Sequence, residues 1–396
     1  MKVGSGAYPI FDPGGRKAQK QVNQVKVIQT EGMHDTAIIT LRGEHLEVPE
    51  LQPGTPVKMQ YGWTTVDMTW FYGYVDHVEN HYQWATPDAS TYEDVVCMGA
   101  SYSLKDPYVG AWTNVQASSL VRQVANKYFL STVLEDDDTT WPSLSAPGDS
   151  AWSFLVQLAN KTGYSLACNQ TNVRFNSVDL GLRQHGPGMP VFRTRNAAPS
   201  FLDQSISFFQ GVQGETLPVA GSTKAVRQIN GYDMRTGQIV GAVDDGSNVS
   251  QLGEDWTYPF FGQQISDEVV VDQAHAQAIL AGKAENNRFN YQATATLSGL
   301  TSVKQGMPIM IRGIDTNQDG VWWVQEVTHK ILSQGYSMDL CLGRDSLGDN
   351  GIRPVQATAV AYTPQNPFAY TVANVPETKL VNNRWRAAYQ SNVDIS

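Results

Sequence analysis

Apolar side chains recur at helical spacing in three stretches of the chain and alternate with polar ones, or run in short β-rich segments, over much of the rest. The clearest helical stretch lies between Asp149 and Tyr164. Trp152, Leu155, Val156 and Ala159 share one stripe there, with Phe154 and Leu158 beside it. Asp149 is placed to cap the first turn, Lys161 suits the C-terminal end of the dipole, and Gly163 suits a left-handed position just past the helix. The pattern then switches to a period of two through Tyr164, Leu166 and Cys168, turns at Asn169–Asn172 and returns through Val173 and Phe175. A short amphipathic helix feeding a hairpin is expected.

Two further helices are expected. In the first, Ser118 and Ser119 cap a face made of Leu120, Val121, Val124, Ala125 and Tyr128, and Phe129–Leu134 follows as a strand. The second spans Val271–Arg288, where Ala274, Ala278, Ala281 and Ala284 allow close packing. Ahead of these helices, short β-rich runs recur between Val22 and Ala100, at 25–28, 37–41, 57–61, 70–75 and 92–97. Turn signals such as Pro53-Gly54 separate them, and strands at this spacing predict a sandwich or small barrel. After a Gly/Pro-rich passage at 185–188 come a strand at Ser205–Phe209 and a hairpin of 226–233 with 238–242. Residues 244–268 read as a long polar loop. The remaining expected strands are Tyr291–Leu297, Gly306–Gly313, Gly320–His329 and Tyr336–Arg344.

The fold class expected is α+β, mainly β, with five parts. Residues 1–20, rich in Gly and Pro and carrying Arg16, Lys17 and Lys20, read as an N-terminal arm. Residues 21–105 form a first β unit, 106–185 a small inserted α+β unit, and 186–345 a second β unit with one helix. Residues 346–396, with Pro354, Pro364, Pro367 and Pro376 and the aromatics Trp385 and Tyr389, read as an extended C-terminal arm.

Composition narrows the function classes. A 396-residue chain with 41% hydrophobic content has ample material for folded cores. Charged residues are only 17%, which suits surface buried against other subunits better than a fully solvated monomer. A net charge of −10 argues against a nucleic-acid-binding surface. Cys97, Cys168 and Cys341 form no Cys-x-x-Cys pair, so neither a zinc ribbon nor a disulfide framework is indicated, and folding in a reducing compartment is expected. Met1–Asp12 has no continuous apolar core, so no secretory leader is expected, and no apolar run approaches the ~18 residues of a membrane span.

Candidate chemistry is sparse. His77 and His81 would share one face of a strand about 13 Å apart, too far for a metal pair. Asp136-Asp137-Asp138 reads as a solvated loop, and His275 as a structural helical histidine. Asp315, Asn317, Asp319, Gly320 and Glu326 match the calcium-loop pattern of an EF-hand. The flanking residues are β-rich instead of helical, and Asp319-Gly320 is equally a hairpin turn. Glu326, six residues into a strand, would lie ~20 Å from Gly320 and could not close the loop. No HExxH, no Gly-x-Ser-x-Gly and no Cys/His arrangement of recognisable context is present. No catalytic, cofactor-binding or metal-ligating residue is therefore assigned, and no cofactor is expected.

The Asp149–Tyr164 segment with its hairpin resembles part of the late-control D-type hub proteins of phage tail baseplates, similar to the hub portion of type VI secretion spikes. Pro53-Gly54 and Gly73-Tyr74-Val75 look like the turn and strand of that family's first β-barrel tube domain, and 226–242 like the opening of its second. The C-terminal run adds the positions Gly306, Val324, Val327, His329, Leu342 and Arg344. The resemblance covers about residues 22–345; the tail beyond Arg344 has no counterpart in it. It implies two β-barrel tube-like domains with the small α+β domain inserted between them. It also implies a structural homotrimer whose ring joins a hexameric tail tube to a trimeric spike and lines the DNA exit channel. Partners would be the tube, spike and other baseplate proteins, with DNA passing without stable binding and no membrane span. Three copies, each at −10, would repel DNA in transit. The implied location is the virion tail baseplate, assembled in the host cytoplasm. Two other readings stand beside it: a tail-associated peptidoglycan-degrading enzyme, and a carbohydrate-binding protein whose ten Trp stack on sugars.

Overall fold

The structure, a computed structural model, describes residues 10–12, 22–42, 52–63, 67–82, 91–135, 139–185, 189–193, 205–210, 227–233, 236–244, 255–256, 263–265, 270–286, 288–289, 291–332, 335–348 and 371–372. The acidic run 136–138, the turn at 186–188, nearly all of the residue 1–20 segment and the tail beyond 348 apart from 371–372 lie outside the described residues.

The long strand Gly320–Leu332 is the trunk of the fold. Its first residues pair antiparallel with Pro308–Arg312, from Pro308 opposite Trp323 to Ile311 opposite Gly320. Its later residues, on the same side, pair antiparallel with Val22–Thr30, from Thr30 opposite Glu326 to Val25 opposite Ile331. The other side pairs along its length with Gly335–Arg344, through a bulge between Val324 and Glu326. Thirteen residues at about 3.3 Å each are long enough to serve both neighbours in turn. Beyond Val22–Thr30 the sheet continues through Thr36–Arg42, Thr91–Gly99, Asp67–Tyr82 and Pro56–Trp63 to the short edge strand Ile10–Asp12. Beyond Gly335–Arg344 it continues through Tyr291–Ser298 to Ser205–Gln210.

The fold is mainly β, with few helices, as the patterning indicates. One feature differs from expectation: among the described residues the strands do not close into two barrels, and thirteen of them join in one open sheet, while the hairpin of Arg227–Asp233 with Gln238–Asp244 lies in a separate three-stranded sheet. Alternation decides which face of a strand is buried; it carries no information about which edges pair. The two halves nevertheless keep separate cores. Val25, Val27, Ile39, Met59, Phe71, Val75 and Val95 pack with Ile331 and Tyr336 in one. Ala293, Ala295, Ile309, Trp322, Val324, Val327, Met338 and Leu340 fill the other.

Four α-helices are described: α1 (Ala117–Lys127), α2 (Ala151–Thr162), α3 (Val178–His185) and α4 (Gln273–Asn286). Helix α2 starts one residue later than its expected cap. Ser150, not Asp149, accepts the Ser153 N–H at 3.0 Å, and Gly163 ends the helix at φ 73°. Helix α1 begins at Ala117 without a side-chain cap, so Ser118 lies inside it and is buried. The hairpin after α2 forms as expected, Ser165–Asn169 with Asn172–Asn176, and the latter strand also pairs parallel with Ser131–Leu134. Leu120, Val121 and Val124 of α1, Phe154, Leu155 and Leu158 of α2, and Ala276, Ile279 and Leu280 of α4 share one core. Pairing of Pro107–Gln116 with Thr140–Ser150 adds a two-stranded ribbon that the sequence patterning did not disclose.

Candidate functional site

The turn between Val22–Thr30 and Thr36–Arg42 is where the main sheet meets the α2 hairpin. Gly32 N–H donates to Leu166 C=O at 2.8 Å, and Glu31 N–H donates to Gln325 C=O of the trunk strand at 3.0 Å. The Trp152 indole N–H donates to Gly32 C=O at 3.1 Å, while its ring stacks on His34 with centroids 4.8 Å apart. Trp152 thus joins helix to sheet twice, by a hydrogen bond and by ring contact.

Beneath that turn lies a buried polar junction. Glu31 accepts the Ser165 hydroxyl and, on both carboxylate oxygens at 3.2 Å, the indole N–H of Trp323. Asp35, only 3% exposed, accepts Gln29 Nε2 at 2.7 Å and Gln305 Nε2 at 2.9 Å. Arg174 of the hairpin donates from Nη2 to Gln305 C=O at 2.8 Å. Burial pushes the Asp35 carboxyl up to about 7 against the opposing pull of Gln29, Lys304, Gln305 and Arg174. Burial likewise raises Glu31 and lowers Arg174 and Lys304, and it takes His34 down to about 4. Nearby, Asp67 accepts both the backbone N–H and the hydroxyl of Thr301, which fixes the start of Asp67–Tyr82 to the 299–306 turn.

These contacts join positions separated by up to 292 residues, so no local motif announces the junction. A usable signal did exist. Arg174 sits between Val173 and Phe175 in a strand whose 173–176 residues are all buried, which leaves its charge no solvent face and demands a partner.

The family-like positions fall around this junction and in the adjoining core. Gly306 adopts φ 68° and donates its N–H to Val324 C=O at 2.7 Å. Val324, Val327 and Leu342 are core residues of the second half. His329 is fully buried, shares a 2.8 Å hydrogen bond with the Tyr336 hydroxyl and lies 5.5 Å from the Tyr61 ring. Burial drives its imidazole down to about 3, so it packs as a neutral ring.

Arg344 reaches into the loop that carries the calcium-like pattern. Its Nη1 donates to the carbonyls of Asn317 and Gln318, both at 3.4 Å, and of Asp319 at 3.1 Å, and Nη2 donates to Gly348 C=O. The loop carboxylates serve the backbone: Asp315 accepts the N–H groups of Asn317 and Gln318, and Asp319 those of Gly313 and Ile314. Glu326 instead accepts the Thr30 hydroxyl at 2.9 Å. The guanidinium gathers the loop carbonyls as a cation would, and the acids act as turn devices.

His77 and His81 share a face as expected. They flank Glu79, with Nε2–Oε distances of 3.3 and 3.7 Å, and all three are exposed. His275 is buried edge-on to Trp141 in α4. No group of three or more His, Cys, Asp or Glu residues among the described residues could hold a metal ion. No described helix is long and apolar enough to cross a membrane.

No protein-family model and no curated protein matches the sequence. Solved structures are similar in fold. The 43 kDa tail protein of prophage MuSo2 from Shewanella oneidensis is similar with a TM-score of 0.61 at 13% identity, over 86% of this chain and 99% of that one. A tail protein from Neisseria meningitidis is similar with a TM-score of 0.58 at 11% identity, over 86% and 97%. An Escherichia coli component of the type VI secretion system also aligns, at 8% identity with a TM-score of 0.47, over 86% and 78%. At these identities the likeness is one of fold, and the fold shared is that of phage tail proteins.

Proposed function

We propose that this chain is a structural hub protein of a phage tail baseplate, or of a related injection device, and not an enzyme. The observation that carries this reading is the shared fold with the Shewanella tail protein over nearly the whole of both chains. In this reading three copies form a ring that joins the hexameric tail tube to a trimeric spike and lines the channel through which DNA leaves. Its partners are tube, spike and other baseplate proteins, and its place is the virion tail, after assembly in the host cytoplasm. Low charge content and a net −10 suit that role, through buried contacts between subunits and a wall that repels DNA.

The geometry gives the rival readings little support. The acids of the junction are engaged with Trp323, Ser165, Gln29, Gln305 and Thr301. Trp141, Trp152, Trp322 and Trp323 are buried, and the ring of Trp70 is covered by Lys58 at 4.2 Å. Single-particle electron microscopy of the purified chain, alone and with its spike, tests the proposal. Three-fold rings with an axial hole are expected. Monomers under both conditions, together with clearing of cell-wall material in a zymogram, would overturn it.

A further inference from the structure

A cleft of about 180 Å³ opens where α2, α4 and the trunk strand converge. Beside it the helices meet backbone to backbone. A Cβ on Gly282 would lie 2.1 Å from Lys161 C=O, and one on Gly163 would lie 2.6 Å from Cβ of Glu285. The volume is below the roughly 300–1,000 Å³ of sites for drug-sized ligands, which points to an occupant no larger than one side chain.

The lining chemistry has a definite sign. Glu31 and Glu285 line the cleft, Tyr164, Phe289 and Trp323 supply aromatic surface, and Asn160 adds an exposed amide. Among the described residues no lysine, arginine or histidine lines it. Both carboxylates keep acceptor capacity. Among the described residues Glu31 Oε2 receives only the indole N–H that it shares with Oε1, at 3.2 Å. Glu285 receives Arg288 on Oε2 at 3.0 Å, and that guanidinium also holds Asp345 at 2.9 Å and Asp179 at 3.4 Å. Burial raises both glutamates against the opposing pull of Ser165, Arg174 and Trp323 on Glu31 and of Arg288 on Glu285, while Asp179 and Asp345 add to the rise at Glu285, so an arriving cation would further stabilise both anions. Aromatic rings beside carboxylates form the setting that favours a cation over a neutral group.

We propose that this cleft binds a cationic head on an aliphatic stem, a guanidinium or alkylammonium group, with Glu31 and Glu285 as counter-charges and Tyr164 and Phe289 against the stem. The proposal stands independently of the tail-hub reading. The chemistry could come from a free amine or from an arginine or lysine side chain of a protein partner, and the two are separable.

Isothermal titration of the full chain with agmatine, with the peptide Gly-Arg-Gly and with its neutral citrulline isostere provides the test. Saturable binding of a cationic probe with Kd on the order of 1 mM or below is expected, at least about tenfold tighter than the citrulline peptide. Tighter binding of the peptide assigns the group to a protein partner; tighter binding of agmatine assigns it to a free amine. Glu285→Gln should weaken binding about tenfold or more. Because that change also releases Arg288, Val156→Phe serves as a second variant that fills the cleft from α2 without altering charge, and it should abolish binding. Equal binding of the citrulline peptide, undiminished binding in Val156→Phe, or no saturable binding of either cation would overturn the proposal.

Discussion

A Cβ at Gly306 would stand 1.7 Å from Nη2 of Arg174, so the guanidinium occupies the space that any other residue at this position would need. Glu31 Oε1 and Ser165 Oγ close the same space, each 2.8 Å from that point. The glycine leading the Pro308–Arg312 strand is therefore the socket that lets the hairpin's buried arginine reach Gln305 C=O. The backbone also asks for glycine, since φ is 68°.

Gly306→Ala should accordingly cost about 3 kcal/mol or more, combining left-handed strain of about 1 kcal/mol with loss of a charge-assisted hydrogen bond. Gly54 offers the control. It has φ 85° but nothing within 4 Å of its would-be Cβ, so Gly54→Ala should cost only the strain, about 1 kcal/mol. Urea denaturation of both variants measures the difference, and equal losses would show that Arg174 does not depend on the socket.

Asp35 makes stability depend on pH in a direction opposite to that of an ordinary surface aspartate. Its carboxyl is raised to about 7 in the fold, against about 3.9 in an unfolded chain. The native state therefore holds the proton where the unfolded state has released it. The stability contributed by this group is complete below about pH 4 and is lost as pH rises towards 7, at up to ~1.4 kcal/mol per pH unit. Asp35→Asn removes that slope. The substitution has hydrogen bonds available, because Gln29 Oε1 and Gln305 Oε1 are buried without a partner among the described residues, and either amide can turn to accept from the carboxamide introduced at position 35. Denaturation midpoints at pH 5 and pH 8 should differ less in the variant than in the parent, with the variant at least as stable at pH 8. Parallel pH profiles would remove Asp35 from the account.

What the sequence disclosed was local. Helix α2, its hairpin and the strands of both halves follow from apolar spacing, because one buried face is enough to set a period of 3.6 or 2. The ribbon of Pro107–Gln116 with Thr140–Ser150 was silent because it buries few positions; Val109 is 78% exposed. Helix α3, whose Val178 and Leu182 are buried, was hidden by its shortness and by Gly181, which is there because a Cβ would lie 2.5 Å from the Trp323 ring. Two barrels were expected and one open sheet is present, because the trunk strand shifts from one neighbour to another midway, a choice of edge that no alternation records. The junction was the least legible part. Glu31, Asp35 and Gln305 each look ordinary in their own segments, and Arg174, though set between Val173 and Phe175, names no partner until the chain brings them together.

The 315–326 loop shows how a sequence pattern can be satisfied by different chemistry. A calcium loop needs its acids free to converge on the ion, yet Asp315 and Asp319 each accept two backbone N–H groups. The positive charge among the carbonyls belongs to Arg344, which is fully buried and lies 5.3 Å from the Trp322 ring centroid. Trp322 in turn donates from Nε1 to Gln318 C=O at 3.0 Å, so the loop, the indole and the guanidinium brace one another. Removing the guanidinium withdraws one donor from each of the carbonyls of residues 317–319 and of Gly348, although Asn317 keeps the Gly348 N–H and Gln318 the Trp322 indole. Arg344→Met, which keeps much of the apolar stem, should therefore lose about 2–4 kcal/mol of stability, measured by urea denaturation. Millimolar calcium should leave the thermal midpoint of the parent unchanged and should not restore that of the variant. The second arm is the sharper one. Rescue by calcium would mean that the acids can turn inward once the arginine is gone, and that Arg344 excludes an ion from the loop.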